Sequence, residues 1–340
     1  MDRHYEKEPL TSMTPFRFSN KGGTDICKIL RVAHHESELI QKVEKTYSIK
    51  IVGAVEFKRH HSDPVINLIL QGSTDERYFL KEIQARDRPE LEEIYSQLSS
   101  VAATEHRLIL PQASDTGKHL FHHKERFFIL MPYKEIRPFT SEDATSEEIF
   151  EIVSKFHKLI RNFKFQSKIQ RSFDEILRRG PEQFRRRFGG DLPFLSVLDE
   201  FCDKRLPEFQ FYQGMIHGDL HQHNFGVDPS GQLWLLDFDA LRLGPLAWDI
   251  MKIAPMYRDT TAESIIIPTD VLDLTLQKLK QTIATKNNSG LTAFDLGGAK
   301  ILIGRCLMME AWDWPDAQHR HEEVRQFLLK IENWVIQQEL

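Results

Sequence analysis

The chain carries Met215-Ile216-His217-Gly218-Asp219-Leu220-His221-Gln222-His223-Asn224, in which two apolar residues lead into a His-Gly pair, an aspartate and an asparagine. Asp237 then stands within Leu235-Leu236-Asp237-Phe238-Asp239. An Asp, an Asn and a second Asp in this order are the residue types that ATP-dependent phosphoryl transfer requires. One carboxylate faces the acceptor hydroxyl, and an amide and a second carboxylate hold Mg²⁺. The segment between them explains how they meet. Asn224 to Val227 reads as a strand, Asp228-Pro229-Ser230-Gly231 is a type I turn signal, and Gln232 to Leu236 reads as the returning strand. A tight hairpin therefore brings Asp237 back beside Asn224. Mg²⁺ is suited by one amide and one or two carboxylates plus phosphate oxygens. Asp239 is either a second metal helper or a salt-bridge partner.

The pattern His-Gly-Asp-Leu-His-x-x-Asn followed by a hydrophobic-Asp-Phe-Asp segment resembles the catalytic region of the aminoglycoside phosphotransferase and choline kinase superfamily. Gly244, Pro245 and Asp249 add a Gly-Pro-x-x-x-Asp element that is similar to the same family. Within it the chain looks nearest to bacterial spore-coat-associated kinase-like proteins and stress-response kinases. The resemblance implies an α+β, bilobal protein-kinase-like fold with a small antiparallel sheet in the N-lobe and a mostly helical C-lobe. It also implies that Asp219 is catalytic and that Asp249 ties down the catalytic loop. The expected boundaries are 1–48 for an N-terminal tail and helix, 49–131 for the nucleotide-binding lobe, and 132–340 for the helical lobe with the acceptor pocket.

The upstream chain fits that expectation. Ile49 to Phe57, Val65 to Leu70 and Arg77 to Ile83 read as strands, with Phe79, Lys81 and Ile83 on one face of the third and Tyr78 and Leu80 on the other. Tyr78-Phe79-Leu80-Lys81 resembles the family's phosphate-binding lysine strand, so Lys81 is the expected cation on the phosphates of ATP. The helix from about Arg88 to Ser99 offers Glu90, Glu92 and Glu93 as partners for that lysine. Glu92 and Glu93 are the better candidates, and the choice between them stays open. The loop Lys58 to Pro64 departs from the family by lacking glycine. A glycine-free loop presses its backbone onto phosphates less freely. Arg107 to Leu110 and Arg126 to Met131 read as two further strands joined by a polar loop. By resemblance, backbone groups near Met131 and Tyr133 bond the adenine edge.

Thr145 or Ser141 starts a helix through Phe163, Leu192 to Phe211 reads as another helix, and the chain beyond Asp249 is mostly helical. Six arginines between Arg171 and Phe188 read as a solvated face or a docking surface for an acidic or phosphate-bearing partner. Glu310, Trp312, Asp313, Trp314 and Asp316 suggest an amine-bearing acceptor, or two core tryptophans with surface acids.

Composition bounds the function. The chain has 340 residues and a net charge of −5, so it has no general pull toward nucleic acid. Cys27, Cys202 and Cys306 are widely spaced and read as reduced thiols of a cytoplasmic protein. No apolar run approaches a membrane span. The leading expectation is a kinase that uses ATP and Mg²⁺ on a hydroxyl of a small metabolite. The alternatives are a protein Ser/Thr kinase and a non-catalytic binding module. A zinc hydrolase built on His217, Asp219, His221 and His223 leaves Asn224 and Asp237 without a role.

Overall fold

The computed structural model describes residues 19–20, 23–24, 37–56, 66–83, 90–102, 107–163, 172–178, 185, 193–259, 265–285, 296–312 and 321–336. The chain divides into two compact units, one of residues 1–92 and 110–137, the other of 93–109 and 138–340.

The first unit is a five-stranded antiparallel sheet. Its strands are β1 (Ile51–Glu56), β2 (Asn67–Gly72), β3 (Arg77–Ile83), β4 (Leu120–His123) and β5 (Arg126–Pro132), in the spatial order β1-β2-β3-β5-β4. Period-2 alternation sorts the faces. Leu68, Leu70, Tyr78, Leu80, Phe128 and Leu130 point into a core closed by Leu39, Val43 and Tyr47 of helix α1 (Ser37–Tyr47). Lys81 lies on the other face, opposite Ile129 in the register, with Phe79 opposite Met131. The β3 boundaries and faces are those expected. The β4 strand is a correction, because the sequence reads that segment as loop. Its hairpin turns on Lys124 and Glu125, both at positive φ, without the glycine or asparagine that normally signals such a turn. Arg107 to Leu110 is the second correction. Leu108 bridges Leu235 and belongs to the second unit.

Helix α2 (Leu91–Ala102) buries Leu91, Ile94, Tyr95 and Leu98 along one stripe. In the second unit, helix α3 (Ser146–Ile160) begins at a capping box, where the Thr145 side chain accepts from the Glu148 amide and Glu148 reaches back to the Thr145 amide. Helix α4 (Pro193–Glu200) is shorter than expected. The chain passes through a π turn and a 3-10 turn around Pro207, which cannot donate to a continuing helix, and then forms β6 (Phe209–Phe211). Two short antiparallel pairs follow: β7 (Gln213–Ile216) with β10 (Arg242–Pro245), and β8 (Phe225–Val227) with β9 (Leu233–Leu235). Helices α5 (Ala247–Met251), α6 (Thr269–Lys280), α7 (Leu296–Trp312) and α8 (His321–Ile336) complete the unit, with β11 (Ile283–Thr285) pairing with β6.

Among the described residues no helix is long and apolar enough to cross a membrane. Residues 1–18, 21–22 and 25–36 of the expected N-terminal tail and helix, the glycine-free loop, and Asp313, Trp314 and Asp316 lie outside those described, as do the side chains of Glu310 and Trp312. Arg178 is paired with Asp174 and Asp203, each at 2.7 Å, and Arg185 with Asp199, so the described members of the basic run meet carboxylates of their own unit. Cys202 and Cys306 are buried free thiols.

Candidate active site

The hairpin from Phe225 to Leu235 forms as its sequence dictates. Phe225 opposes Leu235 and Val227 opposes Leu233 across a turn closed by Gly231 N–H donating to the Asp228 carbonyl at 2.9 Å. The Asp228 carboxylate holds the turn together, accepting from the amides of Ser230 and Gln232 at 3.0 Å and from the Trp234 indole at 2.9 Å. Pairing continues one step beyond the strands, where Leu236 N–H donates to the Asn224 carbonyl at 2.9 Å. That bond places Asp237 next to Asn224, as expected. Asp237 has φ 60° and ψ 75°, a left-handed backbone uncommon for a residue with a side chain. Such strain persists where surrounding structure enforces it, and it gathers at functional positions.

The loop between β7 and the hairpin is fixed at its head by Asp249, which α5 carries into the interior with no exposed surface. One carboxylate oxygen accepts from His217 N–H at 2.7 Å and from His157 Nε2 at 2.8 Å, and the other accepts from Gly218 N–H at 3.0 Å. Burial would raise this carboxyl's pKa. The His157 hydrogen bond and charge, His217 and the Gly218 amide outweigh burial and hold it below the usual carboxylate range. His157 therefore has a defined task, as a hydrogen-bond partner of the buried Asp249. His217 is fully buried between the rings of Phe156 and Phe238, and its Nε2 donates to the Leu236 carbonyl at 2.9 Å. One histidine thus ties the loop's head to the residue preceding Asp237.

Gly218 has φ +83°, and a Cβ there would stand 2.5 Å from the Ala240 carbonyl oxygen. Glycine is required at this point by both conformation and space. The Gly218 carbonyl accepts from the Trp248 indole at 2.9 Å and from Arg242 at 3.1 Å.

Asp219 emerges from this frame with its side chain 54% exposed. His221 Nε2 lies 3.5 Å from its carboxylate, while His221 Nδ1 accepts from His223 N–H at 3.2 Å. An Nδ1 that accepts leaves the proton on Nε2, so the ring presents a donor to Asp219. Removal from bulk water would raise the Asp219 carboxyl. The His221 bond and charge, with Lys252 and His217 behind them, hold it well below the ordinary carboxylate range. Asn224 is 3% exposed, and its Nδ2 donates to the Asp219 carbonyl at 2.7 Å. The amide oxygen is therefore its end available to a cation. Asp239 accepts from Tyr95 Oη.

Zinc does not fit the histidines. His217 Nε2, His221 Nδ1 and His223 Nε2 each meet a different partner, and among the described residues no group of three or more His, Cys, Asp or Glu side chains converges for a metal. Mg²⁺ makes a lesser demand, and one amide oxygen and one carboxylate beside phosphate oxygens fit it.

In the first unit, Glu92 is engaged elsewhere than at a lysine. Its carboxylate accepts from the amides of His119 at 2.9 Å and Leu120 at 2.8 Å, with His119 Nδ1 at 3.4 Å. Glu93 is exposed and accepts from Gln97 at 3.3 Å, whereas Glu90 is buried at the start of α2. Tyr133 N–H donates to the Arg77 carbonyl at 2.9 Å, and Met131 sits in the β3–β5 ladder.

Comparison with known proteins bears on the fold and the family. The chain is similar in structure to spectinomycin phosphotransferase, 14% identical, covering 89% of this chain and 98% of that one with a TM-score of 0.54. Amicoumacin kinase is 15% identical over 88% of this chain and 94% of its own, with a TM-score of 0.56. The choline kinase of Streptococcus pneumoniae is 13% identical over 87% and 99%, with a TM-score of 0.52. Identities this low speak to the shared α+β, protein-kinase-like fold. A 3-deoxy-D-manno-octulosonic acid kinase of Xylella fastidiosa is 44% identical over 48 residues, 14% of this chain and 19% of that protein's length. Residues 62–267 match the model of the phosphotransferase enzyme family, a span that contains Lys81, Asp219, Asn224, Asp237 and Asp249. That match takes in more than half of the sequence, and the chain belongs to the phosphotransferase enzyme family.

Proposed function

We propose that this enzyme transfers the terminal phosphoryl group of ATP, taken as its Mg²⁺ complex, to a hydroxyl of a small molecule. The observation that carries the reading is the hairpin geometry. An exposed, ionised Asp219 stands on a loop clamped by Asp249 and His217, with Asn224 bonded to it and Asp237 adjoining Asn224.

Asp219 receives the acceptor hydroxyl as a hydrogen-bond donor. With its pKa held low, Asp219 is a weak base, so its part is to orient the hydroxyl in line and to take the proton late. A loose transition state asks for little more, because positioning and charge do most of the work. His221 keeps the carboxylate aimed. Asn224 and Asp237 are the metal ligands in this proposal, with Asp239 behind them. Bound there with the nucleotide, Mg²⁺ supplies positive charge to the phosphate oxygens. Lys81 is assigned to the phosphates, with Glu90 and Glu93 as its remaining candidate partners because the Glu92 carboxylate is taken by the His119 and Leu120 amides, and Met131 and Tyr133 are assigned to the adenine side. Small-molecule acceptors are favoured by the relatives, which are named for spectinomycin, amicoumacin, choline and a sugar acid. A protein acceptor draws no support from them.

Calorimetry with Mg-ATP on the parent and on Asp237→Ala tests the metal assignment. The variant should retain its unfolding midpoint and lose at least about tenfold in affinity, the scale of a lost charged contact. Equal affinity in the two proteins would remove Asp237 from the site.

A further inference from the structure

Asp237 stands at φ 60° and ψ 75°, and a left-handed aspartate is kept there by what flanks it. Before it, Leu236 N–H donates to the Asn224 carbonyl at 2.9 Å, and the Leu236 carbonyl accepts from His217 Nε2 at 2.9 Å. After it, the chain makes a 3-10 turn, Phe238–Ala240, closed by Leu241 N–H donating to the Phe238 carbonyl at 3.1 Å. The Phe238 ring packs against Phe156 and His217, with ring centres 5.4 Å apart in each case. Asp239, in the middle of the turn, has a tether of its own. One of its carboxylate oxygens accepts from the hydroxyl of Tyr95, which α2 brings in from 144 residues away in sequence.

Tyr95 is 1% exposed, so its ring belongs to the core and its hydroxyl needs a partner there. Phenylalanine would fill the same space without that need. What the hydroxyl adds is a bond to a carboxylate, one of the stronger kinds, at the second residue after Asp237. The turn is short, and a left-handed residue opens it. Fixing Asp239 therefore limits how far the turn can rotate, and with it the direction in which the Asp237 side chain leaves the backbone. The same bond engages one of the two oxygens Asp239 would need for a cation.

We propose that Tyr95 is a positioning residue for the metal site: its hydroxyl fixes Asp239, Asp239 fixes the turn, and the turn holds Asp237 toward the cation. Asp239 is then a link in this chain and not itself a metal ligand. This rests on the phosphotransfer reading above, in which Asp237 is the ligand. Groups one shell behind a metal ligand carry much of its affinity, and losing one costs about 10- to 100-fold.

The test is calorimetry of the full chain with Mg-ATP and with metal-free ATP, with thermal melting alongside. The proteins are the parent, Tyr95→Phe, Asp239→Asn, Asp239→Ala and the double variant of Tyr95→Phe with Asp239→Ala. Tyr95→Phe should weaken Mg-ATP binding by about tenfold or more and leave metal-free ATP within about twofold. Asp239→Asn keeps an oxygen that accepts from Tyr95, so it should lose less than Tyr95→Phe, and Asp239→Ala should lose at least as much. The double variant should lose no more than Asp239→Ala alone, because both changes cut one link. If Tyr95→Phe melts too early to titrate, Asp239→Ala against Asp239→Asn carries the same comparison. Parent-like Mg-ATP affinity in Tyr95→Phe would overturn the proposal, as would a loss shared equally by metal-free ATP, which marks a structural tyrosine. A greater loss in Asp239→Asn than in Tyr95→Phe would make Asp239 a ligand in its own right. A parent that binds Mg-ATP no better than metal-free ATP would overturn the metal assignment of the phosphotransfer reading, and this proposal with it.

Discussion

Asp249→Asn should loosen the catalytic loop without changing side-chain size. The parent carboxylate accepts three hydrogen bonds, from His217 N–H at 2.7 Å, His157 Nε2 at 2.8 Å and Gly218 N–H at 3.0 Å. An amide at the same place has one acceptor oxygen, and its NH₂ must face at least one of these donors. The variant therefore loses the negative charge and leaves a buried backbone N–H unpaired, which together cost about 2–4 kcal/mol. Urea denaturation across a pH series reads the loss. The sign follows from linkage. The folded-state carboxyl lies below its unfolded value, so its stabilisation is complete above the unfolded pKa, about 4, and disappears as pH falls through the folded value. The parent should exceed the variant by a constant margin from neutral pH down to about 4, and the margin should close below that. A neutral-pH difference under about 0.5 kcal/mol, or a margin that widens in acid, would refute the clamp. Turnover should fall as well, because a displacement of about 1 Å in a positioned catalytic group costs roughly a hundredfold.

Two further substitutions probe other parts of the account. Gly218→Ala must place a Cβ 2.5 Å from the Ala240 carbonyl at φ +83°, so it should destabilise the fold by about 2–3 kcal/mol, and an unchanged urea midpoint would show that the loop yields. Lys81→Ala should lower Mg-ATP affinity or turnover by at least about tenfold with little change in melting, since Lys81 lies on the sheet face away from Tyr78 and Leu80, and parent-like kinetics would return it to a solvated strand lysine.

The parts of the fold that the sequence revealed are those governed by local rules. The turn at Asp228-Pro229-Ser230-Gly231 set the hairpin and hence the meeting of Asn224 and Asp237. The alternation of Tyr78 to Ile83 set the face of Lys81, and Thr145 with Glu148 set the start of α3. What was hidden depends on contacts distant in sequence or on unusual backbone. The β4 strand follows from left-handed Lys124 and Glu125, residues with no propensity signal for it. Leu108 joins the catalytic hairpin across more than a hundred residues. Glu92 looked like a partner for a lysine because its reach to the His119 and Leu120 amides depends on a loop that folds back onto the helix. His157 acquires meaning only once Asp249 is placed against the loop.

The most direct measurement of the central claim is single-variant kinetics on Asp219→Asn, with Mg-ATP affinity and turnover determined on the same preparation. The substitution keeps the size of the side chain and removes the charge to which the orienting of the acceptor hydroxyl is assigned, while the groups assigned to metal and nucleotide remain. Affinity should stay within a few-fold of the parent, and turnover should fall by roughly a hundredfold or more. Turnover equal to the parent's, or a collapse of Mg-ATP affinity in step with activity, would contradict the role given to Asp219.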